Sequence, residues 1–490
     1  MPERITLYFA APKRKGLVGV TTYKGLPVFL CGQRNCQLCN LSAREQLGSW
    51  PGGKLEVELG LYRRPSFFRP QPFYSGHLFS IIEREQIDTG GEVDISGLNT
   101  ICLRISSGLI VIDPGGMGFN GGLSLASLID GQRIIGTVVS HGHQDHWNLA
   151  DQVRGPIYVS GLTSRLIDRH LAFEWNPQLA RARHWMKEIK PGQRLFLDSV
   201  QIETFSLPHT IPETMGLDIR GSSKRMVYLG DLRLSGWEGK TRAETIATLQ
   251  KIARERVDLL AMTIFNAHFE GFTPIEALMI DTLTNILVST SKRVLVTCFS
   301  SNLERVWRIA QVAQILQRPV AFCGAGMRNA QELLGIRAEE DARDAESAVV
   351  FVTGSQAEEF SVLWRISQHH NPPFELRPDD TIAFSSRCIP GNEEAGLGEL
   401  ISGLRPQVKK IVVHQGEVER LGLGRLGVEE ALTHVVGHAN KADLRLVLEI
   451  LRPAQVLAWP QVSPQIEAFR GLAEPFGIEI LPETERVIEI

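Results

Sequence analysis

The sequence has 490 residues, more than one compact core accommodates, so we expect two or three domains. Hydrophobic residues make up 43% of the chain and charged residues 22%, as in ordinary globular proteins. No run approaches the ~20 apolar residues of a membrane span, and the first residues lack the pattern of a secretion signal. The seven cysteines, an odd number, argue against a disulfide framework. We therefore expect a cytoplasmic protein that does not bind membranes.

Residues 1–88 are predicted to form a basic N-terminal extension. Residues 1–80 contain eleven Lys or Arg and four Asp or Glu, although the whole chain has a net charge of −3. The stretch LYRRPSFFRPQPFYSG (61–76) mixes arginines, prolines and aromatic residues, which suits single-stranded nucleic acid. An irregular arm whose aromatic residues dock on the main body explains the same composition.

Three cysteines in the extension, Cys31, Cys36 and Cys39, have the spacing C-x4-C-x2-C. A structural zinc ion or an iron–sulfur cluster would need a fourth ligand, for which His77 is available. Three free thiols in a loop explain the spacing equally well. The segment therefore predicts a possible extra metal site and leaves the alternative open.

From residue 93 onward the chain alternates strands and helices. NTICLRI, LIVIDPGG, RIIGTVVS, PIYVSG, VQIETFSL and RMVYLGD predict strands, and LTSRLIDRHLA predicts a helix. A second α/β unit begins near residue 276, where RVLVTCF, PVAFCG, AVVFVTG and DDTIAFSS predict strands. VEEALTHVV and KADLRLVLEIL predict helices, and AQVLAWP predicts a last strand. This alternation predicts an α/β fold.

The stretch VVSHGHQDHW, residues 138–147, places four potential ligands within six positions after a strand: His141, His143, Asp145 and His146. Imidazole and carboxylate groups are the ligands of hydrolytic zinc ions. In an extended loop His141 and His143 can face one point, while Asp145 and His146 face another a few ångströms away. This arrangement predicts two metal ions that share a carboxylate and activate a water molecule. A lone histidine in such a loop would be structural, but four ligands so close together indicate a metal centre.

The HxHxDH pattern of this stretch resembles the metallo-β-lactamase fold, an αββα sandwich with metal ions at one edge. The resemblance implies that His209 in LPHT is the third histidine of the first metal and that Asp231 in YLGD is the bridging carboxylate. It also implies that Asp113 in IDPGG supports the ligands. The expected cofactor is Zn²⁺, one or two ions per chain, with Mn²⁺ as the alternative.

Five further blocks resemble the ribonuclease J group of the β-CASP branch, and they occur in that group's order: EGFTP (270–274), TCFSSNLERV (297–306), VTGSQ (352–356), IPGNE (389–393) and HVVGHANKADL (434–444). The resemblance implies a metallo-β-lactamase domain over 89–275, an inserted β-CASP domain over 276–424 and a completing segment over 425–490. It also implies a homodimer.

Three positions depart from the family pattern. Pro460 stands where the family has a late histidine that binds the second metal, and a proline cannot bind metal. Thr263 replaces an acidic residue that steadies another active-site histidine, and Val436 replaces a serine in the phosphate-binding segment. His268, Glu270 and His414 are possible substitutes for the absent ligand. These losses should weaken the second metal site.

The resemblance implies a metal-dependent hydrolase of phosphodiester bonds that acts on single-stranded RNA, or less readily on single-stranded DNA. Asp145 and Asp231 would act in catalysis with His438, which would contact the scissile phosphate or assist the leaving group. Residues that would seat phosphates are Ser301, His434, Gly437 and His438. Two alternatives stay open: an RNA-binding or scaffold protein on a decayed nuclease, and a small-molecule hydrolase such as a thioesterase or phosphodiesterase.

Overall fold

A computed structural model describes residues 99–116, 125–173, 177–236, 241–338, 340–389 and 396–490, together with the backbone of four strands before residue 59. These strands form two antiparallel pairs: β1 (Arg4–Phe9) with β4 (Gly53–Glu58), and β2 (Leu17–Tyr23) with β3 (Leu26–Cys31). The side chain of Cys31 lies outside the described part of the chain, as do Cys36, Cys39 and the basic side chains of the extension. Among the described helices, none has the length and apolar composition needed to span a bilayer.

One sheet of the main unit has six strands, in the spatial order β23 (Val487–Glu489), β5 (Ile101–Ile105), β6 (Gly108–Ile112), β7 (Ile134–Val138), β8 (Ile157–Val159) and β9 (Met186–Glu188). Strands β5 and β6 form an antiparallel hairpin, and β6 to β9 run parallel to one another. The stretch HGHQDH begins just after β7. It therefore lies at the carboxyl end of a parallel array, where loops held by a rigid sheet converge.

A second sheet has seven strands, in the spatial order β10 (Arg194–Leu197), β11 (Val200–Ser206), β12 (Met215–Arg220), β13 (Arg225–Gly230), β14 (Leu259–Thr263), β21 (Gln455–Trp459) and β22 (Glu479–Ile480). Strands β10 to β13 are antiparallel, and β13, β14, β21 and β22 are parallel. Strands β21 and β22, near the end of the described chain, thus complete this sheet.

The two sheets pack face to face over a shared apolar core. Leu103 and Ile110 of the six-stranded sheet contact the same buried cluster as Ile202, Leu217 and Leu457 of the seven-stranded sheet. The outer face of the first sheet is covered by α1 (Leu125–Ile129), α2 (Gly161–Phe173) and α3 (Pro177–Arg183). The outer face of the second is covered by α4 (Arg242–Ile252), α11 (Lys441–Leu451) and α12 (Gln465–Ala473). The predicted αββα sandwich is confirmed.

A third sheet has six parallel strands, in the order β16 (Val320–Cys323), β17 (Val349–Val352), β15 (Val294–Thr297), β18 (Thr381–Phe384), β19 (Lys410–His414) and β20 (Glu429–Ala431). Helices cover both of its faces, as parallel sheets require. They are α5 (Glu276–Ser289), α6 (Leu303–Ile315) and α7 (Ala325–Leu334) on one side, with α8 (Val362–Ser367) and α9 (Leu397–Leu404) on the other. The short helix α10 (Glu417–Arg420) follows β19.

One predicted element is wrong. VEEALTHVV does not form a helix: it contains β20 and then an irregular segment that leads to His434. Strand β20 pairs with β19, so its backbone hydrogen bonds are made across the sheet and not along a helix. The predicted domain boundary at residue 424 stays a prediction, and the third sheet continues past it to Ala431.

Candidate metal centre

The predicted ligands meet at one edge of the sandwich, although they come from three segments: His141, His143, Asp145 and His146 after β7, His209 between β11 and β12, and Asp231 after β13. Asp145 and His146 lie in a short 3₁₀ turn, which directs them differently from the two preceding histidines. A Cβ at Gly142 would meet Leu166 Cδ1 at 2.3 Å, so a larger residue between the first two histidines would require the Leu166 side chain to move.

We define the first ligand set as four atoms that lie within 4.8 Å of one another: His141 Nε2, His143 Nδ1, His209 Nε2 and Asp231 Oδ2. His143 Nδ1 is 3.0 Å from His141 Nε2 and 3.1 Å from His209 Nε2. Four ligands at ~2.0 Å in a tetrahedron lie about 3.3 Å apart, so this spacing suits a zinc-sized ion.

Hydrogen bonds outside the first ligand set fix how its histidines face inward. His209 Nδ1 donates to the Gly437 carbonyl at 3.1 Å, which leaves its Nε2 with a lone pair. His141 Nδ1 lies 2.9 Å from Ser140 Oγ, and that hydroxyl uses its own hydrogen on a carboxylate. His141 therefore donates from Nδ1 and also presents a lone pair at Nε2. Outer partners of this kind orient metal-binding histidines.

Burial keeps these three imidazoles neutral. It holds the pKa values of His141 and His209 well below their usual range, and nearby histidines add to the effect. Burial also lowers the pKa of His143 to about 4, although Asp145 and Asp231 act in the opposite direction. At neutral pH the first ligand set therefore combines three uncharged imidazoles with the Asp231 carboxylate, a donor set suited to a divalent cation.

We define the second ligand set as Asp145 Oδ2, His146 Nε2 and Asp231 Oδ2. His146 Nε2 is 3.5 Å from the Asp145 oxygen and 3.3 Å from the Asp231 oxygen. Burial disfavours a charged imidazole, but Asp145, Asp231 and Asp113 outweigh it and hold the pKa of His146 well above its usual value. The second set therefore differs from the first, because its only histidine tends to hold a proton.

Asp113 connects the ligand loop to the core. Its carboxylate accepts hydrogen bonds of 2.6 Å from the Ser140 amide, the Ser140 hydroxyl and the Tyr228 hydroxyl. It also accepts the Nδ1 hydrogen of His146 at 2.7 Å. Asp113 is fully buried and has a φ of 45°. This buried carboxylate with four donors therefore holds Ser140 and His146, on either side of the first two histidines, at the same time.

His438 lies beside the first ligand set. Its Nδ1 is 3.8 Å from Asp231 Oδ1, and its ring centroid is 5.6 Å from that of His209. Within the described part of the chain, His438 Nδ1 and Asp231 Oδ1 are both buried and have no hydrogen-bond partner. Buried polar atoms without partners are costly, so this pair is suited to a ligand that supplies one.

A cavity of about 360 Å³ extends from the ligands toward the carboxyl ends of the third sheet's strands. Its far wall includes polar side chains that follow those strands: Ser301, Arg387 and His434. Arg305 donates to His434 Nδ1 at 2.7 Å, which leaves the hydrogen of this neutral imidazole on Nε2. Burial, reinforced by Arg305, holds the pKa of His434 well below its usual range. The far wall thus combines a hydroxyl, a guanidinium and an N–H donor, which suit a phosphate.

Gly437 also lines the cavity, next to His438. A Cβ at Gly437 would meet Thr210 Cγ2 at 2.9 Å and His209 Cε1 at 3.3 Å. Its carbonyl is the acceptor that orients His209. The described contacts of Gly437 therefore concern the first ligand set, and its predicted contact with phosphate stays a prediction.

Comparisons with known proteins agree with this architecture. A family model described as "Ribonuclease J, beta-CASP domain" matches residues 291–404, and one described as "Beta-lactamase superfamily domain" matches residues 109–253. The chain belongs to the metallo-β-lactamase-fold β-CASP family. In this β-CASP protein, four of the six strands of the third sheet, β15 to β18, lie within the first match, and the ligand loop lies within the second.

Curated relatives of this β-CASP protein are named Ribonuclease J. That of Sinorhizobium meliloti is 27% identical over 70% of the chain and 61% of its own length. That of Thermus thermophilus is 28% identical over 80% of the chain and 70% of its own length. That of Mycobacterium tuberculosis is 27% identical over 70% of the chain and 61% of its own length. The chain thus spans about three fifths of the first of these relatives. A crystal structure of a protein of unknown function from Enterococcus faecalis has the same fold, with a TM-score of 0.51, 16% identity and coverage of 80% of this chain and 96% of that one.

The three departures from the β-CASP pattern are visible in the structure. Pro460 directly follows β21, and Thr263 ends β14, where it pairs with Trp459. The Thr263 hydroxyl donates to the Gly230 carbonyl at 3.1 Å. Val436 lines the cavity.

None of the three possible substitutes, His268, Glu270 and His414, belongs to a group of potential metal ligands among the described residues. Glu270 is exposed and pairs with Lys441 at 2.5 Å. His268 lines the cavity, and the ring of His414 lies 5.7 Å from that of His434.

Several residues of this centre are not indicated by the sequence patterns. Ser140 and Tyr228 hold Asp113, and Arg387 lines the far wall of the cavity. Asn99 contacts the second ligand set, and Trp459 donates a hydrogen bond to Asn99. Ser140 adjoins the first histidine, so proximity to the motif is a weak signal for it. The others have none, because their contacts join distant segments.

Proposed function

We propose that the chain is a metal-dependent hydrolase of phosphodiester bonds that acts on single-stranded RNA. The observation that carries this proposal is the first ligand set, which lies at one end of a cavity whose other end carries phosphate-binding groups. Relatives named Ribonuclease J support RNA as the substrate. Ser301 and Arg387 of the far wall lie within the residues that match the β-CASP model.

The residues present fit a divalent ion. Three neutral imidazole nitrogens and one carboxylate oxygen meet within 4.8 Å, and Asp231 Oδ1 is buried without a partner among the described residues. His141, His143, His209 and Asp231 would hold the ion, and this set of nitrogen and oxygen donors favours Zn²⁺ with Mn²⁺ as an alternative. Such an ion supplies Lewis acidity, which makes water a stronger nucleophile at neutral pH and stabilises negative charge on a phosphate.

The chain's own residues orient this chemistry. Ser140 and Gly437 hold His141 and His209 in the tautomers that face inward, and Asp113 holds His146. Geometry fixed before the substrate binds lowers the cost of reaching the transition state.

His438 and the far wall of the cavity would position the substrate. His438 Nδ1 faces Asp231 Oδ1 at 3.8 Å and has no partner among the described residues, so it is free to contact a phosphate oxygen or the leaving group. Ser301 and the Nε2 hydrogen of His434 would hold a neighbouring phosphate, and Arg387 adds positive charge.

The test is cleavage of 5′-monophosphorylated single-stranded RNA by the wild type and by Asp231→Ala, with added zinc or manganese. We expect cleavage by the wild type alone. Asp281→Asn, on helix α5 away from the ligands, is the matched control and should cleave at the wild-type rate. RNA binding without turnover at any metal concentration would instead indicate a non-catalytic binding protein. Turnover of a generic phosphodiester without affinity for RNA would indicate a small-molecule hydrolase.

A further inference from the structure

The second ligand set has few atoms of its own. Asp231 Oδ2 belongs to both sets, since it is 3.8 Å from His141 Nε2 and 3.7 Å from His209 Nε2. This leaves Asp145 and His146 as the only unshared members. An ion bound in the first set would therefore share the Asp231 carboxylate with the second set, which has two other members.

The neighbouring strand ends contribute no replacement ligand. Pro460 follows β21 and has no donor atom in its side chain. Thr263 pairs with Trp459 across the sheet, and its hydroxyl hydrogen is donated to Gly230. The late histidine and the acid expected from the family resemblance are thus both absent from two strand ends that are adjacent in space.

Asn99 contacts the second ligand set instead. Its amide nitrogen donates to Asp145 Oδ2 at 2.9 Å and to the Asp145 carbonyl at 3.2 Å, and it lies 3.3 Å from His146 Nε2. The amide nitrogen, the Asp145 oxygen and the His146 nitrogen form a triangle with sides of 2.9, 3.3 and 3.5 Å. Asn99 is buried, with 5% of its surface exposed.

Trp459 fixes the orientation of this amide. Its indole N–H donates to Asn99 Oδ1 at 2.9 Å, and an indole nitrogen can only donate. The carbonyl oxygen of Asn99 must therefore face Trp459, and the NH₂ group must face Asp145 and His146. Trp459 itself is held between the Tyr228 ring and the guanidinium of Arg486, and only 2% of its surface is exposed.

An NH₂ group in this place is unfavourable for a metal ion. It has no lone pair to offer, and its hydrogens carry partial positive charge toward the same two atoms that an ion would need. We propose that the chain binds one metal ion, in the first ligand set, and that the Asn99 amide anchored by Trp459 takes the place of a second ion at Asp145 and His146. This inference rests on the proposed function, because it assumes that the first set binds an ion.

The experiment counts ions per chain by native mass spectrometry and elemental analysis, after equilibration with excess zinc or manganese and buffer exchange. The reference chain, written as wild type below, and every variant carry Cys36→Ser, so that the possible extra site at Cys31, Cys36 and Cys39 does not enter the count. We expect one ion in the wild type and two in Asn99→Asp. The aspartate keeps an acceptor for Trp459 but places a carboxylate oxygen beside that of Asp145, where a cation then offsets the repulsion. Asn329→Asp, a buried asparagine on α7, is the matched control and should keep one ion.

The outcomes separate this inference from the proposed function. Two ions in the wild type would overturn the inference and leave the proposed hydrolase intact, whereas no ion in the wild type would overturn both. One ion in a folded Asn99→Asp chain would show that Asn99 does not exclude the second ion. If circular dichroism shows that Asn99→Asp does not fold, Trp459→Phe replaces it, because losing the indole N–H lets the amide turn its oxygen toward Asp145. Trp459→Phe should then bind a second ion at raised ion concentration, and a count that stays at one would contradict the inference.

Discussion

The two ligand sets both draw on the same six-residue stretch and share Asp231, yet their surroundings prepare them differently for an ion. In the first set, burial and outer hydrogen bonds leave His141 and His209 neutral, with lone pairs directed at one point. In the second set, three carboxylates favour a proton on His146, and the Asn99 amide lies against its Nε2. The spacing of ligand residues therefore does not determine how many ions a motif binds. The groups packed behind and beside the ligands decide it.

The largest expected effect is loss of the ion from the first ligand set. We expect His209→Ala to reduce the ion content from one to near zero per chain, because it removes one of three imidazole ligands. RNA cleavage should fall by more than the ~10–100-fold that outer partners of metal ligands cost. Elemental analysis and a cleavage assay would measure both. His184→Ala, which changes an exposed histidine, is the control. If His209→Ala retained its ion, the assignment of His209 to the first ligand set would be wrong.

A smaller effect is expected from the second ligand set. His146→Ala should keep one ion per chain, with affinity about 10-fold weaker because His146 Nε2 contacts the shared Asp231 carboxylate at 3.3 Å. Calorimetric titration with zinc would measure the affinity and the stoichiometry together. Complete loss of the ion would show that the two sets act as one, which would remove the distinction between them.

The pH dependence should differ between the two sets. The pKa of His143 is about 4 and those of His141 and His209 are well below their usual range, so these imidazoles are uncharged at pH 7 and need lose no proton to bind an ion. Binding in the first set should release almost no proton, and its affinity should fall only as the pH drops toward 4. Since the pKa of His146 is raised, a second ion in Asn99→Asp should displace about one proton and bind more tightly as the pH rises. Calorimetry at pH 7 in buffers of different ionisation enthalpy gives the proton count, and a full proton released by the first ion would contradict the expectation.

The smallest effect should come from Tyr228, which hydrogen-bonds to Asp113 and belongs to neither ligand set. Tyr228→Phe removes a 2.6 Å hydrogen bond to Asp113, whose carboxylate keeps its other donors. We expect a loss of about 1–3 kcal/mol in the free energy of unfolding of the ion-free chain and an unchanged ion count. Denaturant unfolding and elemental analysis would measure these, with Tyr158→Phe on β8 as the control. A chain that loses its ion would show that Tyr228 contributes to binding and not only to stability.

Much of the sandwich could be predicted because its signals are local. Strands such as β13 and β15 are short apolar runs that end in turn residues, and helix α6 has apolar residues at helical spacing. The segment VEEALTHVV was misleading for the same reason. Its composition favours a helix locally, but the pairing of β20 with β19 gives its backbone a better set of partners.

The site, like the fold, could be predicted from the sequence only where its signals are local. His141, His143, Asp145 and His146 are close in sequence, so their spacing is enough to indicate a metal centre. His209 and Asp231 are isolated in the sequence, and only the family resemblance singles them out. The fold brings their ligand atoms within 4.8 Å of those of His141 and His143. Asn99 and Trp459 carry no sequence signal, since a hydrogen bond between residues 360 positions apart depends on how the sheets are assembled.

The sequence by itself determined the alternation of strands and helices and the presence of a ligand-rich loop, because hydrophobic periodicity and close spacing act over a few residues. Only the tertiary structure decided which nitrogen of each histidine faces inward, which groups hold Asp113, and what lies opposite Asp145 and His146. These features depend on contacts between strands far apart in the chain, and their energies come from burial and hydrogen bonding that exist only after the sheets have packed. The number of ions that this centre binds is therefore a property of the assembled sandwich and not of the motif.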